Sequence, residues 1–181
     1  MIHNFRPKFD PLAEVAPLFS NNDRQWTDFT IVSQEGTKFP CHRLILVSQS
    51  PVMQAMLSND WKEQEDSKVT VNHSDEVVRH FVEYFYSRKV PQEALEANLA
   101  SFFDLAGLYD LAPLKLLTEE AAIGMLSVEN MVDLFVLGAL HSASLKSEAE
   151  AFIKRNKKEL KEMDLTVYPP RIINDVVRLL I

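Results

Sequence analysis

Hydrophobic residues recur along this chain first with a period of two and later with a period near 3.6, so strands are expected early and helices late. In "FDPLAEVAPLFSN", Leu12, Val15, Leu18 and Phe19 fall three and four apart, which predicts one apolar face of a helix that Pro17 keeps short or broken. "DFTIVS" alternates, with Phe29 and Ile31 on one side and Thr30 and Val32 on the other; "EGTKF" follows with Gly36 as a turn, so the pair predicts a hairpin. Ser50-Pro51 starts a helix through "VMQAML", and the β-branched "KVTVN" predicts a third strand. Ser74 then reads as an N-cap with Asp75 and Glu76 in the first turn, and Val77, Val78, Phe81, Val82 and Phe85 form the buried stripe of a helix that Pro91 prevents from continuing.

From about Asn98 the pattern is helical throughout. Leu99, Phe102, Phe103, Ala106 and Tyr109 are in phase, and Leu114, Leu117, Ala121 and Met125 continue the next helix. Ser127 is expected to cap a further start, "SVENMVDLFVLGALH", and "ASLKSEAEAFIKRNKKEL" to form one more long helix with charged outer faces. The tail restarts after Pro169-Pro170. Strands first and helices after predict the α+β class. "NDWKEQED" stands out within this pattern, because Trp61 lies where nearly every neighbour is polar. An exposed indole forgoes several kcal/mol of burial, at about 25 cal/mol per Å² over roughly 150–250 Å², so either Trp61 folds back onto the core or a partner covers it.

Composition narrows the function classes. Hydrophobic residues at 46% suffice for a sizeable core in 181 residues. The formal charge of -7 disfavours a general electrostatic grip on nucleic acid, and no nucleic-acid partner is expected. The lone Cys41 excludes an internal disulfide framework and fits a reducing compartment; no apolar run approaches the roughly 20 residues of a membrane span, and no signal-peptide block is seen, so the expected location is intracellular, without a membrane partner.

Catalytic and metal-binding patterns are missing. No nucleophile elbow, Walker loop, G-x-G-x-x-G or H-E-x-x-H occurs. Cys41 and His42 are adjacent, and in an extended strand adjacent side chains point to opposite faces. His73 and His80 lack accompanying cysteines, and His141-Ser142 comes without a placed acid. "KRNKK" (154–158), flanked by Glu148, Glu150, Glu159 and Glu162, reads as a solvated helix face. The expectation is a non-enzyme that needs no cofactor and no metal and acts through its surfaces.

"DFTIVSQEGTKFPCHRLILVSQSPVMQAML" resembles the opening of BTB/POZ domains through Asp28, Phe39, His42, Arg43, Leu46, Ser50 and Met53. "HFVEYFYSRKV" is similar to the family's tyrosine-bearing helix end, with Tyr86 at the tyrosine and Arg88 where the family usually has glycine. Leu105, Ala106, Tyr109, Leu111, Leu114 and Lys115 match a later helical block, and "SVENMVDLFVLGALHSASLKSEAEAFIKRN" closely resembles the three-box helices of the speckle-type POZ adaptors.

The resemblance implies a small three-stranded sheet flanked by a helical cluster, followed by a three-box or BACK-like helical extension. The expected organisation is an N-terminal dimerisation segment over 1–27, a BTB/POZ domain over 28–126, a three-box helical pair over 127–163 and a helical tail over 164–181. It further implies a homodimer that recruits cullin-3 as an adaptor of a ubiquitin ligase, in the nucleus or cytoplasm. Trp61-Lys62-Glu63 falls at the family's hydrophobic-x-Glu cullin motif and Tyr86 beside it, while Leu12, Val15, Leu18, Phe19 and Ile45 would form the dimer interface. Packing of that first helix within one chain is the other way to bury it. The residues before Asp28 are too few for a substrate-reading MATH domain, so a truncated regulator of adaptors is also expected, with other BTB proteins as further partners. The alternative from another class is an oligomerisation scaffold of the corepressor type without cullin binding.

Overall fold

The computed structural model describes residues 26–58 and 67–179, which fall into two compact units on either side of Pro91. In the first unit β1 (Phe29–Val32) is central to a three-stranded sheet of order β2-β1-β3. It pairs antiparallel with β2 (Lys38–Cys41), in the register Phe29↔Cys41, and parallel with β3 (Lys68–Thr70), in the register Ile31↔Val69. A parallel partner cannot be reached by a tight turn, and α1 (Arg43–Val47) and α2 (Pro51–Ser58) lie in the chain between β2 and β3. The alternation expected of "FTIV" holds: Phe29 and Ile31 are buried, Thr30 and Val32 half-buried.

Gly36 closes the hairpin with φ +88, a value that glycine adopts without steric cost. Its N–H donates to the Ser33 carbonyl at 3.1 Å. The hairpin tip is then fastened to α3 (Asp75–Ser87), since the Ser33 and Thr37 hydroxyls both donate to the Asp75 carboxylate and the Asp75 N–H donates to Glu35 Oε2 at 3.2 Å. Those hydroxyls hold the Asp75 carboxyl below its ordinary range. Ser74 caps α3 as its position predicts, accepting from the Val77 N–H. Val77, Val78, Phe81, Val82 and Phe85 are all buried, and α3 packs against β1, β2 and α1.

The end of α3 differs from the expectation. Pro91 is not the stop: the helix closes at Ser87, and Arg88 takes the left-handed conformation (φ 57, ψ 22) with its N–H on the Tyr84 carbonyl at 2.8 Å. An arginine thus holds an αL backbone at a helix end, where glycine is the common residue, at a steric cost of roughly 1–2 kcal/mol. Its guanidinium lies 5.8 Å from the Tyr84 ring centroid and returns part of that cost.

The second unit is helical: α4 (Gln92–Ala97), α5 (Leu99–Leu108), α6 (Ala112–Gly124), α7 (Met131–His141), α8 (Ala143–Arg155), α9 (Lys157–Glu162), a 3-10 turn (Leu165–Val167) and α10 (Pro170–Arg178). The stripe Leu99, Phe102, Phe103, Ala106, Tyr109 is buried as read. On α6, Leu114 and Ala121 are buried, but Leu117 and Met125 are only half-buried, and Thr118 and Ala122 take the inner positions. Thr118 is admitted because its hydroxyl donates to the Leu114 carbonyl at 2.9 Å, so no polar group is stranded. The short α4 leaves no periodic trace in the sequence, because six residues are too few to show a period.

Ser127 does not cap α7. Asn130 is the residue at the helix start, and its side chain accepts from the Ser127 N–H at 2.8 Å and donates to the Met125 carbonyl at 2.7 Å, tying the end of α6 to the beginning of α7. The Ser127 hydroxyl instead serves the Glu129 carboxylate, lowering its pKa. The long helix expected over 143–160 is two helices broken at Asn156, whose Nδ2 donates to the Phe152 carbonyl at 2.8 Å and competes with the helical ladder. Around this pair Met131, Val132, Phe135, Ala149, Ile153, Leu160 and Val176 form a core of their own. Ser142 caps α8 through the Leu145 N–H at 3.1 Å. No helix among the described residues is long and apolar enough to cross a membrane.

Candidate functional site

The candidate surface is built where α1 begins. His42 starts α1 without a side-chain cap, and the orphan N–H groups of the first turn find distant acceptors: Arg43 N–H donates to Asp28 Oδ1 at 2.7 Å, and His42 N–H donates to the Tyr86 hydroxyl at 2.9 Å. The Tyr86 hydroxyl also lies 2.9 Å from His42 Nδ1, with the two rings edge-on at 78°. Arg43 is held by the Phe29 ring, 5.7 Å from its centroid, and by a bond from Nη2 to Ser67 Oγ at 3.3 Å.

This bracing fixes what α1 presents. Leu46 faces inward, Ile45 is half-buried, and Leu44 is 74% exposed. Two residues before Asp28, Trp26 is 90% exposed with φ 59, an unusual backbone for a bulky aromatic. An indole and a leucine at the surface, near a helix start anchored from both sides, have the chemistry of a partner surface. Beside them Thr27, Asp28, Phe29, Thr30, Val32, Lys38, Ser67 and Lys68 line a shallow cleft of about 390 Å³. Its groups are hydroxyls, two ammonium groups and one carboxylate, suited to polar contact.

The residues weighed for catalysis diverge. Cys41 is buried, with its thiol 3.6 Å from the Phe29 carbonyl, while His42 faces Tyr86. His80 accepts from Arg79 at 3.0 Å and lies 3.4 Å from Glu83, far from a ligand cluster; no group of three metal-binding side chains exists among the described residues. His141 does gain an acid that its sequence neighbourhood lacks, since Asp104 lies 3.7 Å from Nε2 and the ring stacks on Phe103. Ser142 is buried and its Oγ accepts from the Leu145 N–H as the cap of α8, so it does not stand at the surface as a nucleophile.

Of the residues singled out from sequence, Tyr86 is 5% exposed and braces α1. Ile45 is half-buried beside the exposed Leu44. Trp61, Lys62 and Glu63, and Leu12, Val15, Leu18 and Phe19, lie outside the described residues. The sequence signal for Trp26 is a tryptophan three residues before the first strand, outside its alternating pattern; Leu44 carries none.

The model of the BTB/POZ domain matches residues 18–126, more than half of the chain. The chain belongs to the BTB/POZ family. A solved structure with this fold is that of the BTB (Tramtrack and Bric a brac) domain of human gigaxonin, 23% identical, with a TM-score of 0.50 over 62% of this chain and 92% of that one. The small sheet with its helices is therefore a BTB fold, and the family makes this a protein-interaction module. The BTB match ends two residues beyond Gly124, the last residue of α6, leaving α7 to α10 as helices outside it.

Proposed function

We propose that this BTB protein is a homodimer that recruits cullin-3, as an adaptor or a regulator of adaptors of a ubiquitin ligase, with the speckle-type POZ adaptors as its nearest subfamily. The observation that carries the reading is Trp61-Lys62-Glu63 in the connection between α2 and β3 of a BTB fold, the position of the family's cullin motif. In this reading Trp61 is the buried anchor and Glu63 meets a polar rim, the division of labour found in interface hot spots. Tyr86, being buried, contributes by holding His42 and the start of α1 in place. The dimer joins Leu12, Val15, Leu18 and Phe19 with Ile45 across a two-fold interface. The domain boundaries at 27, 126 and 163, other BTB proteins as partners and an intracellular site of action belong to the same proposal.

The second reading is a dimeric scaffold of the corepressor type. It is favoured by the exposed Trp26 and Leu44, which offer a partner surface whether or not cullin binds. Calorimetry against a cullin-3 N-terminal domain separates the two. Wild type is expected to bind with micromolar affinity or better, and Trp61→Ala with Glu63→Lys to weaken it at least roughly 30-fold, about 2 kcal/mol, while sedimentation still shows a folded dimer. Absence of binding by the wild type leaves the scaffold reading.

A further inference from the structure

The tail of the second unit is held by a thin set of contacts. α10 contributes one fully buried side chain, Val176, to the core around Met131, Phe135 and Ile153, with Ile172 and Leu179 packed partly against it. Just before α10, Tyr168 stands in extended backbone (φ -97, ψ 152), its ring against the same core and its hydroxyl donating to Asp133 Oδ1 at 2.7 Å, across 35 positions. Asp133 belongs to the first turn of α7. Partial burial and the Asp133 carboxylate push the Tyr168 hydroxyl up to about 12, so it stays a donor.

Of the chain's four tyrosines, Tyr84, Tyr86 and Tyr109 are 0%, 5% and 3% exposed; Tyr168 alone is not buried. Val167 beside it is 75% exposed. We propose that Tyr168 is a tyrosine-phosphorylation site and that its modification releases α10 from the α7–α9 core. In the step, the Tyr168 oxygen attacks the γ-phosphorus of ATP on a protein tyrosine kinase. The new O–P bond forms as the bond to ADP breaks, and the phenolic proton passes to the kinase's base.

The product replaces the bond to Asp133 with a repulsion, which is more than the loss of a hydrogen bond. A neutral donor becomes an acceptor carrying about -1.5 to -2 charges, facing a carboxylate. The positive end of α7 does not rescue it, because Asp133 already occupies that first turn. Arg171 is exposed and can pair with the phosphate in the released tail as readily as in the docked one.

The test treats the full chain with ATP and a broad-specificity tyrosine kinase, locates the phosphate by mass spectrometry and follows hydrogen exchange. One phosphate is expected, on Tyr168, with exchange over 170–178 faster by at least about tenfold and α6 unchanged. Tyr168→Phe should take up no phosphate and keep α10 protected through its ring. Asp133→Asn should keep α10 docked and blunt the effect of the phosphate. A folded protein phosphorylated elsewhere, a phosphorylated Tyr168 with α10 still protected, an equal effect in Asp133→Asn, or loss of protection across α6 would each overturn the proposal.

Discussion

Replacing Gly138 with alanine tests how tightly α7 and α8 are joined. A Cβ built on Gly138 would stand 2.4 Å from Lys146 N, 2.7 Å from Lys146 Cα and 3.0 Å from Leu145 C. These are backbone atoms in the first turn of α8, so no rotamer change relieves the contact. The two helices must part by about 1 Å to bring the Cβ to an ordinary 3.4 Å. A radial gap of that size forfeits roughly a quarter to a half of each dispersion contact across the seam, where Met131, Phe135, Ala149 and Ile153 meet. Overpacking of this kind costs about 1–3 kcal/mol, and disturbing the Ser142 cap, bonded to Leu145 N, adds about 1 kcal/mol. Alanine's helix propensity returns about 1 kcal/mol. The expected net loss is therefore about 1–3 kcal/mol.

Urea unfolding followed by far-UV circular dichroism measures it. Both tryptophans precede Pro91, so indole fluorescence would follow the other unit. Gly107 in α5 is the internal control, since nothing lies within 4 Å of its Cβ position and Gly107→Ala should stabilise by about 0.5–1 kcal/mol. A Gly138→Ala protein as stable as the wild type would refute the close approach.

Two further outcomes follow from the first unit. Arg88→Gly removes roughly 1–2 kcal/mol of left-handed strain and loses a cation–π contact of about 0.5–1 kcal/mol, so it should raise the urea midpoint slightly, and a lowered midpoint would show that the Tyr84 contact outweighs the backbone. The Asp75 carboxyl titrates lower in the folded than in the unfolded chain, so its contribution is full above the unfolded value and is lost as pH falls through the folded one; a pH series of unfolding curves on the acid side should be flatter for Asp75→Ala than for wild type.

Much of this protein was legible locally. The stripe on α3, the Ser74 cap, the Gly36 turn and the alternation of β1 depend on residues within a few positions of one another, where a helix or strand period and a turn conformation are set. The order of the BTB blocks is likewise a property of the chain, and it named the family and the fold class that the domain match bears out.

The tertiary structure decided which residues finish each element and what each one meets. Asn130 displaced Ser127 because its amide reaches Met125 across the turn, and Thr118 became interior because α4, α5 and α8 pack against α6, its hydroxyl being satisfied within its own helix. Asp104 met His141, Tyr86 braced His42, and Gly138 was required by the backbone of another helix. None of these follows from periodicity, because a spacing says which side of an element is apolar and nothing of what will lie against it. Pairings between groups tens of residues apart exist only once hydrophobic burial has brought the elements together, and each buried polar group must then find its partner among whatever the fold has placed beside it.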